Sequence, residues 1–148
     1  MSQTECPCGS DKEYSDCCQL LHDGKARADS PRALMQARYS AFVKKQVSFL
    51  WDTLHADHEA RAHSREEFLR SLEEGLESMR YEGLEVMETA EPDRDGAAKV
   101  LFSVDVRNYE TDFGFVELSY FVDDGDGWRY LMGQQLEHRK LSLPRSSI

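Results

Sequence analysis

Hydrophobic spacing divides the chain into a helical first half and a stranded second half. Leu34, Met35, Tyr39, Phe42 and Val43, with Arg38 beside them, recur at helical intervals. They follow Ser30 and Pro31, a cap and a first-turn proline. A second helix is predicted through VSFLWDTLH, ending near His55, with ADHEARAH as a loop. Ser64 and Glu67 have capping-box spacing and open a third helix, whose predicted buried stripe is Phe68, Leu69, Leu72, Leu76 and Met79.

The period changes at Tyr81. YEGLEVMETAE alternates, and AAKVLFSVDVRNY places Val100, Phe102, Val104 and Val106 on one face. FGFVELSYFVDD and GWRYLMGQQLEH complete four strands, joined by the short links EPDRDG, YETDF and DDGDG. Consecutive short links favour an antiparallel meander. The expected fold class is α+β: a small N-terminal knuckle, then a cone of three helices packed on a curved, mainly antiparallel four-strand sheet. The expected divisions are a knuckle over 1–24, a connector over 25–30, the cone over 31–138 and a tail over 139–148.

At 148 residues, 40% of them hydrophobic, the chain has enough apolar material for a core of its own. No apolar run reaches the about 20 residues of a membrane span, and the first residues do not read as a secretory leader. A cytoplasmic location is expected. The net charge of −10 is concentrated in residues 46–136, with eight basic and twenty-one acidic side chains. That balance disfavours nucleic acid over most of the surface.

All four cysteines, Cys6, Cys8, Cys17 and Cys18, lie in CPCGSDKEYSDCC. Four cysteines can pair as disulfides in three ways, but a reducing compartment favours metal binding or thiol chemistry. A redox pair usually reads Cys-x-x-Cys at a helix start, a form absent here. Two close pairs around an eight-residue loop suit one structural Zn²⁺ held by four thiolates. Pro7 stiffens the first pair, Gly9 permits a turn, Ser10 is expected to cap a short helix and Tyr14 to cover the site. His22 is expected to be a solvated surface residue.

CPCGSDKEYSDCC resembles the SEC-C motif, a zinc-binding segment also present at the C-terminus of the SecA translocation motor. LMQARYSAFVKKQVSFLWDTLH, VELSYF and GWRYLMG are similar to segments of the YchJ-like family, matching at Arg38, Tyr39, His55, Glu117, Trp128, Tyr130 and Gly133 among others. That resemblance implies a SEC-C knuckle joined to a SnoaL-like or nuclear transport factor 2-like cone, and no established reaction. LEHRKLSLPRSSI departs from the pattern of many relatives, which carry a second SEC-C motif there.

Tyr39, Trp51, His55, Asp105, Glu117 and Trp128 have the chemistry of pocket residues, and Arg38 is the expected partner of Glu117. For each a structural role competes: His55 at a helix end, the tryptophans in the core, Arg38–Glu117 as an ion pair. DRDG and DDGDG read as hairpin turns, since neither continues to a calcium-loop glutamate. There is no phosphate loop, nucleophile elbow or His-Glu-x-x-His. The leading expectation is a zinc-binding interaction module, with a protein partner that analogy places in secretion, chaperone work or translation. The alternatives are a small-molecule receptor or enzyme using the cone cavity, and ribosome or nucleic-acid association through the knuckle and the basic helix 31–45. A homodimer is compatible with such a cone.

Overall fold

The structure, a computed structural model, describes residues 5–136. The predicted tail 139–148, and residues 1–4 and 137–138 at the edges of the predicted knuckle and cone, lie outside the described residues. No helix among the described residues is long and apolar enough to cross a membrane.

Four α-helices come first: α1 (Cys18–His22), α2 (Pro31–Lys44), α3 (Val47–Asp52) and α4 (Arg65–Leu76). Helix α2 starts where Ser30 and Pro31 indicate, with Ser30 Oγ accepting from the Ala33 amide at 3.0 Å. It ends at Lys45, which adopts the left-handed conformation common just past a helix. The Ser64–Glu67 capping box opens α4. Helix α3 stops at Asp52, short of His55, and the predicted loop after it contains a 3₁₀ turn over Glu59–Ala62. Arg61 of that turn donates from Nη2 to the carbonyls of Trp51 and Leu54, at 3.0 and 2.9 Å, so it satisfies groups that α3 leaves open.

Helix α4 departs from its predicted role. Of the stripe Phe68, Leu69, Leu72, Leu76 and Met79, only Leu76 is buried. Met79 already belongs to the first strand. The helix leans on α3 through Phe68 against Trp51, ring centroids 5.2 Å apart, and stays outside the main core.

Strands β1 (Met79–Ala90), β2 (Ala97–Asn108), β4 (Phe115–Asp123) and β5 (Trp128–Leu136) form an antiparallel meander in the order β1-β2-β4-β5. A two-residue strand β3 (Thr111–Asp112) folds back on the end of β2 within the YETDF link. The face of β2 predicted to be buried is buried: Val100, Phe102, Val104 and Val106 pack with Leu34, Met35 and Tyr39 of α2 and Phe121 of β4. One side of α2, through Leu34, Met35 and Tyr39, thus lies on the sheet, and its other side, through Ala37, carries the knuckle. This explains why Ala37, Ser40 and Ala41 are buried along with the apolar stripe.

Two irregularities shape the interior. On β1 the register slips between Tyr81 and Gly83, which keeps Tyr81 and Leu84 on the inner face although they are three residues apart. On β5 the register slips opposite Tyr120 and Phe121: Ser119 pairs with Gly133, but Phe121 pairs with Tyr130. The extra residue, Leu131, turns Tyr130 and Gly133 to the same side.

Candidate functional site

The knuckle is built by short-range backbone contacts. The Cys6 amide donates to the Lys12 carbonyl at 2.8 Å, and Glu5 and Glu13 form an antiparallel bridge. Gly9, at a φ of 88°, makes the turn between the first cysteine pair and the rest of the loop. A 3₁₀ turn over Tyr14–Asp16 then delivers Cys17 and Cys18, the latter opening α1. Ser10 does not cap this turn, whose cap position is Glu13 with no side-chain bond. Its Oγ instead accepts from the Lys12 amide and lies 3.2 Å from Cys17 Sγ.

All four sulfurs lie within 4.8 Å of one another, and Cys6, Cys8 and Cys18 are buried. Cys8 Sγ and Cys17 Sγ are 3.7 Å apart. A tetrahedron with metal–sulfur bonds of about 2.3 Å has edges of about 3.8 Å. The donor set therefore fits one thiophilic, four-coordinate metal ion, with every ligand position taken by the protein. Without a metal the sulfurs must share protons. Hydrogen bonds from Cys18 and Cys8 hold the Cys6 thiol low, and the bond to Cys6 pushes the Cys18 thiol up. Cys6 Sγ also meets Ser40 Oγ of α2 at 3.5 Å, so the sulfur cluster sits directly on the cone's long helix.

His22 is the second fastening, and it is not a solvated surface residue. Its Nε2 donates to the Ala37 carbonyl at 2.8 Å, which leaves Nδ1 to accept from the Tyr14 hydroxyl at 2.6 Å. Its ring stands edge-on to Phe49, centroids 4.7 Å apart. Burial draws its pKa down, against the opposing hydrogen bond to Ala37, so the neutral ring is favoured. Tyr14 covers this side as expected, with Lys44 Nζ 4.7 Å above its ring. One imidazole thus ties the knuckle (Tyr14), α2 (Ala37) and α3 (Phe49) together.

Inside the cone is a cavity of about 250 Å³ walled by aromatic side chains from α2, β1, β2 and β4. Arg38, Glu117 and Tyr130 bring polarity to it. Arg38 and Glu117 do not form the direct ion pair expected from the sequence, because Tyr130 stands between them. The Tyr130 hydroxyl donates to Glu117 Oε2 at 2.7 Å, while the Arg38 guanidinium lies 4.6 Å from the Tyr130 ring centre. Arg38 Nη1 is spent on the Leu50 carbonyl and on Thr53 Oγ1, at 3.0 and 2.7 Å. Burial draws the guanidinium down to about 10 from 12.5, which leaves it charged at neutral pH. Burial raises the Glu117 carboxyl, opposed by the Tyr130 hydroxyl and the Arg38 charge. Tyr130 is itself held in place by backbone bonds to Thr53 and His55, which join the end of α3 to β5. Gly133 completes the arrangement: a Cβ there would collide with both Glu117 Oε2 and the Tyr130 hydroxyl.

Tyr39 and Glu117 are the two predicted pocket residues that line this cavity. The other four lie elsewhere. Asp105 is exposed on the outer face of β2, near Gly83 and Ser103. Trp51 is buried between Phe68 and the Arg61 guanidinium, which lies 4.5 Å from its ring centre. His55 follows α3 and accepts from the Asp57 amide through Nδ1. Trp128 borders a different crevice of about 280 Å³, with Leu21, His22, Leu34 and Phe49. Tyr130 and Gly133, not proposed from the sequence as pocket residues, reach the site only through the slip at Leu131. Strict alternation along β5 puts them on opposite faces.

Comparison with known proteins agrees with this architecture. Residues 5–20 match the SEC-C motif, and residues 30–133 match the family described as YchJ, middle NTF2-like domain. A UPF0225 protein of Shewanella sp. (strain MR-4) is 37% identical over 144 residues, covering 92% of this chain and 83% of its own. One from Enterobacter sp. (strain 638) is 32% identical over 128 residues, covering 86% and 81%. The solution structure of a SEC-C motif containing protein from Rhodopseudomonas palustris superposes with a TM-score of 0.72 at 25% identity, covering 90% of this chain and 99% of that one. A SEC-C cysteine knuckle seated on an NTF2-like cone, shared over most of the chain, makes this protein a member of the YchJ-like UPF0225 family.

Proposed function

We propose that this protein is a zinc-dependent interaction module, in which a structural Zn²⁺ held by Cys6, Cys8, Cys17 and Cys18 shapes a surface read by a basic segment of a protein partner. The observation that carries this reading is the closed four-sulfur set pressed against α2. Four thiolates leave no position for substrate or water on the metal, so the ion's work is to fix shape. The knuckle's inward side is spent on the cone, and its outward rim is free. That rim exposes Glu5, Asp11, Glu13 and Asp16 against Lys12, with Lys44 over the Tyr14 ring at its edge. A zinc–tetrathiolate centre adds about two further negative charges. The field therefore favours a cationic partner and opposes a phosphate backbone. Of the basic residues on helix 31–45, Arg38 is only 9% exposed and offers nothing to a polyanion, which leaves Arg32 and Lys45 as the exposed cations there. Thiolate ligands go with a reducing compartment such as the cytoplasm.

The test uses three forms of the full chain: wild type, Cys17→Ser, and the triple variant Asp11→Asn, Glu13→Gln, Asp16→Asn. Elemental analysis is expected to give one zinc per wild-type and triple-variant chain, and to show that Cys17→Ser loses it. Binding to basic peptides should weaken in both variants, and wild-type binding should fall with added salt. A triple variant that keeps zinc and binds as well as wild type would remove the rim from the reading. Wild-type protein purified without a metal-binding tag and free of zinc would remove the whole of it.

A further inference from the structure

The cone cavity has the features of a binding site that the metal centre does not explain. Its walls are aromatic and apolar, including Tyr39, Phe42, Tyr81, Phe102 and Phe115. Two polar groups on it have hydrogen-bonding capacity to spare. Glu117 Oε1, and Nε and Nη2 of Arg38, have no hydrogen-bond partner among the described residues. Both residues line the cavity.

An acceptor and a donor held ready at an apolar cavity form the usual plan of a small-molecule site. The protein also spends structure on keeping them there. The slip at Leu131 turns Tyr130 inward, and Gly133 leaves the room that the Glu117–Tyr130 pair occupies.

We propose that this cavity binds a small, uncharged, planar molecule of one or two fused rings, whose hydrogen-bond-donating head meets Glu117 Oε1. Size follows from volume: a site of about 150 Å³ admits benzene, and about 250 Å³ admits a ring with substituents or a fused pair. Lack of charge follows from balance. Arg38 over the Tyr130 ring and Glu117 on its hydroxyl already balance in charge, and a charged head would lose its hydration and oppose one of them. The aromatic walls supply faces and edges for ring stacking. This proposal does not rest on the knuckle's partner, and zinc plays no part in it.

The experiment titrates the full, zinc-loaded chain with 2-naphthol, naphthalene and 2-naphthoate, reading ligand fluorescence together with backbone amide shifts. Saturable binding of 2-naphthol is expected, about tenfold tighter than naphthalene for one added hydrogen bond to a carboxylate. 2-Naphthoate should bind more weakly than either. Shifts should centre on Phe102, Phe115, Glu117 and Tyr130. Glu117→Gln should cut the preference for 2-naphthol over naphthalene to threefold or less. Three wild-type outcomes overturn the proposal whether or not that variant folds: no saturable binding of 2-naphthol, shifts centred elsewhere, or 2-naphthoate binding more tightly than 2-naphthol. Gly133→Ala, which crowds the Glu117–Tyr130 pair, should weaken 2-naphthol binding at least tenfold. Unchanged affinity in a folded Gly133→Ala protein would also count against the assigned seat.

Discussion

Replacing His22 with alanine should loosen the knuckle from the cone without emptying its metal site. The variant loses the bonds to Tyr14 and Ala37, each worth about 1 kcal/mol net. It also loses the edge-on contact with Phe49, worth about 0.5–1.5 kcal/mol. The sum, about 3 kcal/mol, makes local opening about 150-fold more frequent. Tyr14→Phe keeps the ring under Lys44 and loses one bond, so its expected cost is about 1 kcal/mol, or about fivefold. Because the two residues share that bond, the double variant should cost about 1 kcal/mol less than the sum of the single ones. Native-state hydrogen exchange reads this at the Asp23 and Lys25 amides, which donate to Gln19 and Leu20 around the end of α1. Zinc content, measured alongside, should remain at one per chain. If exchange at these amides rises less than threefold in His22→Ala, or if the two substitutions add in full, the clasp is not what holds the knuckle down.

Three further outcomes follow from the same structure. Stripping zinc with a chelator should broaden or collapse the amide signals of residues 5–20 and leave those of β2 and β4 in place, because the Val100–Phe121 core is built without the sulfurs; loss of the sheet signals as well would contradict this. Reloading zinc should release protons, since cysteine thiols give theirs up to bind the metal as thiolates. Glu117 should titrate above its ordinary 4.5, read by carboxyl carbon shifts. Its raised folded-state pKa gives stability that is full below 4.5 and lost as pH rises through the folded value, a dependence that Glu117→Gln should abolish. Finally, Phe121→Ala should cost about 3–5 kcal/mol in denaturant unfolding, whereas Leu72→Ala on the peripheral α4 should cost under about 1.5 kcal/mol because its site is half open; comparable costs would mean that α4 belongs to the core.

Local chemistry was legible in the sequence wherever neighbours along the chain settle the outcome. Cys6, Cys8, Cys17 and Cys18 converge because a thirteen-residue loop with Gly9 at its turn can bring them nowhere else. Ser30 and Ser64 cap the helices they precede, since a cap is satisfied within three residues. The inner face of β2 followed from alternation alone, because that strand keeps its register through the stretch that matters. What the tertiary structure decided depends on groups far apart in the chain, or on one residue of slippage. His22 looked like a spare surface imidazole until Ala37 and Phe49 closed over it. Arg38 and Glu117 looked like an ion pair, but Tyr130 entered between them because Leu131 is an extra residue on β5. A strand's side chains alternate with period two, so a single slip reverses every face beyond it. No pattern of apolar and polar residues in GWRYLMG announces such a slip; it is set by how β5 must bend to meet both β4 and the end of α3.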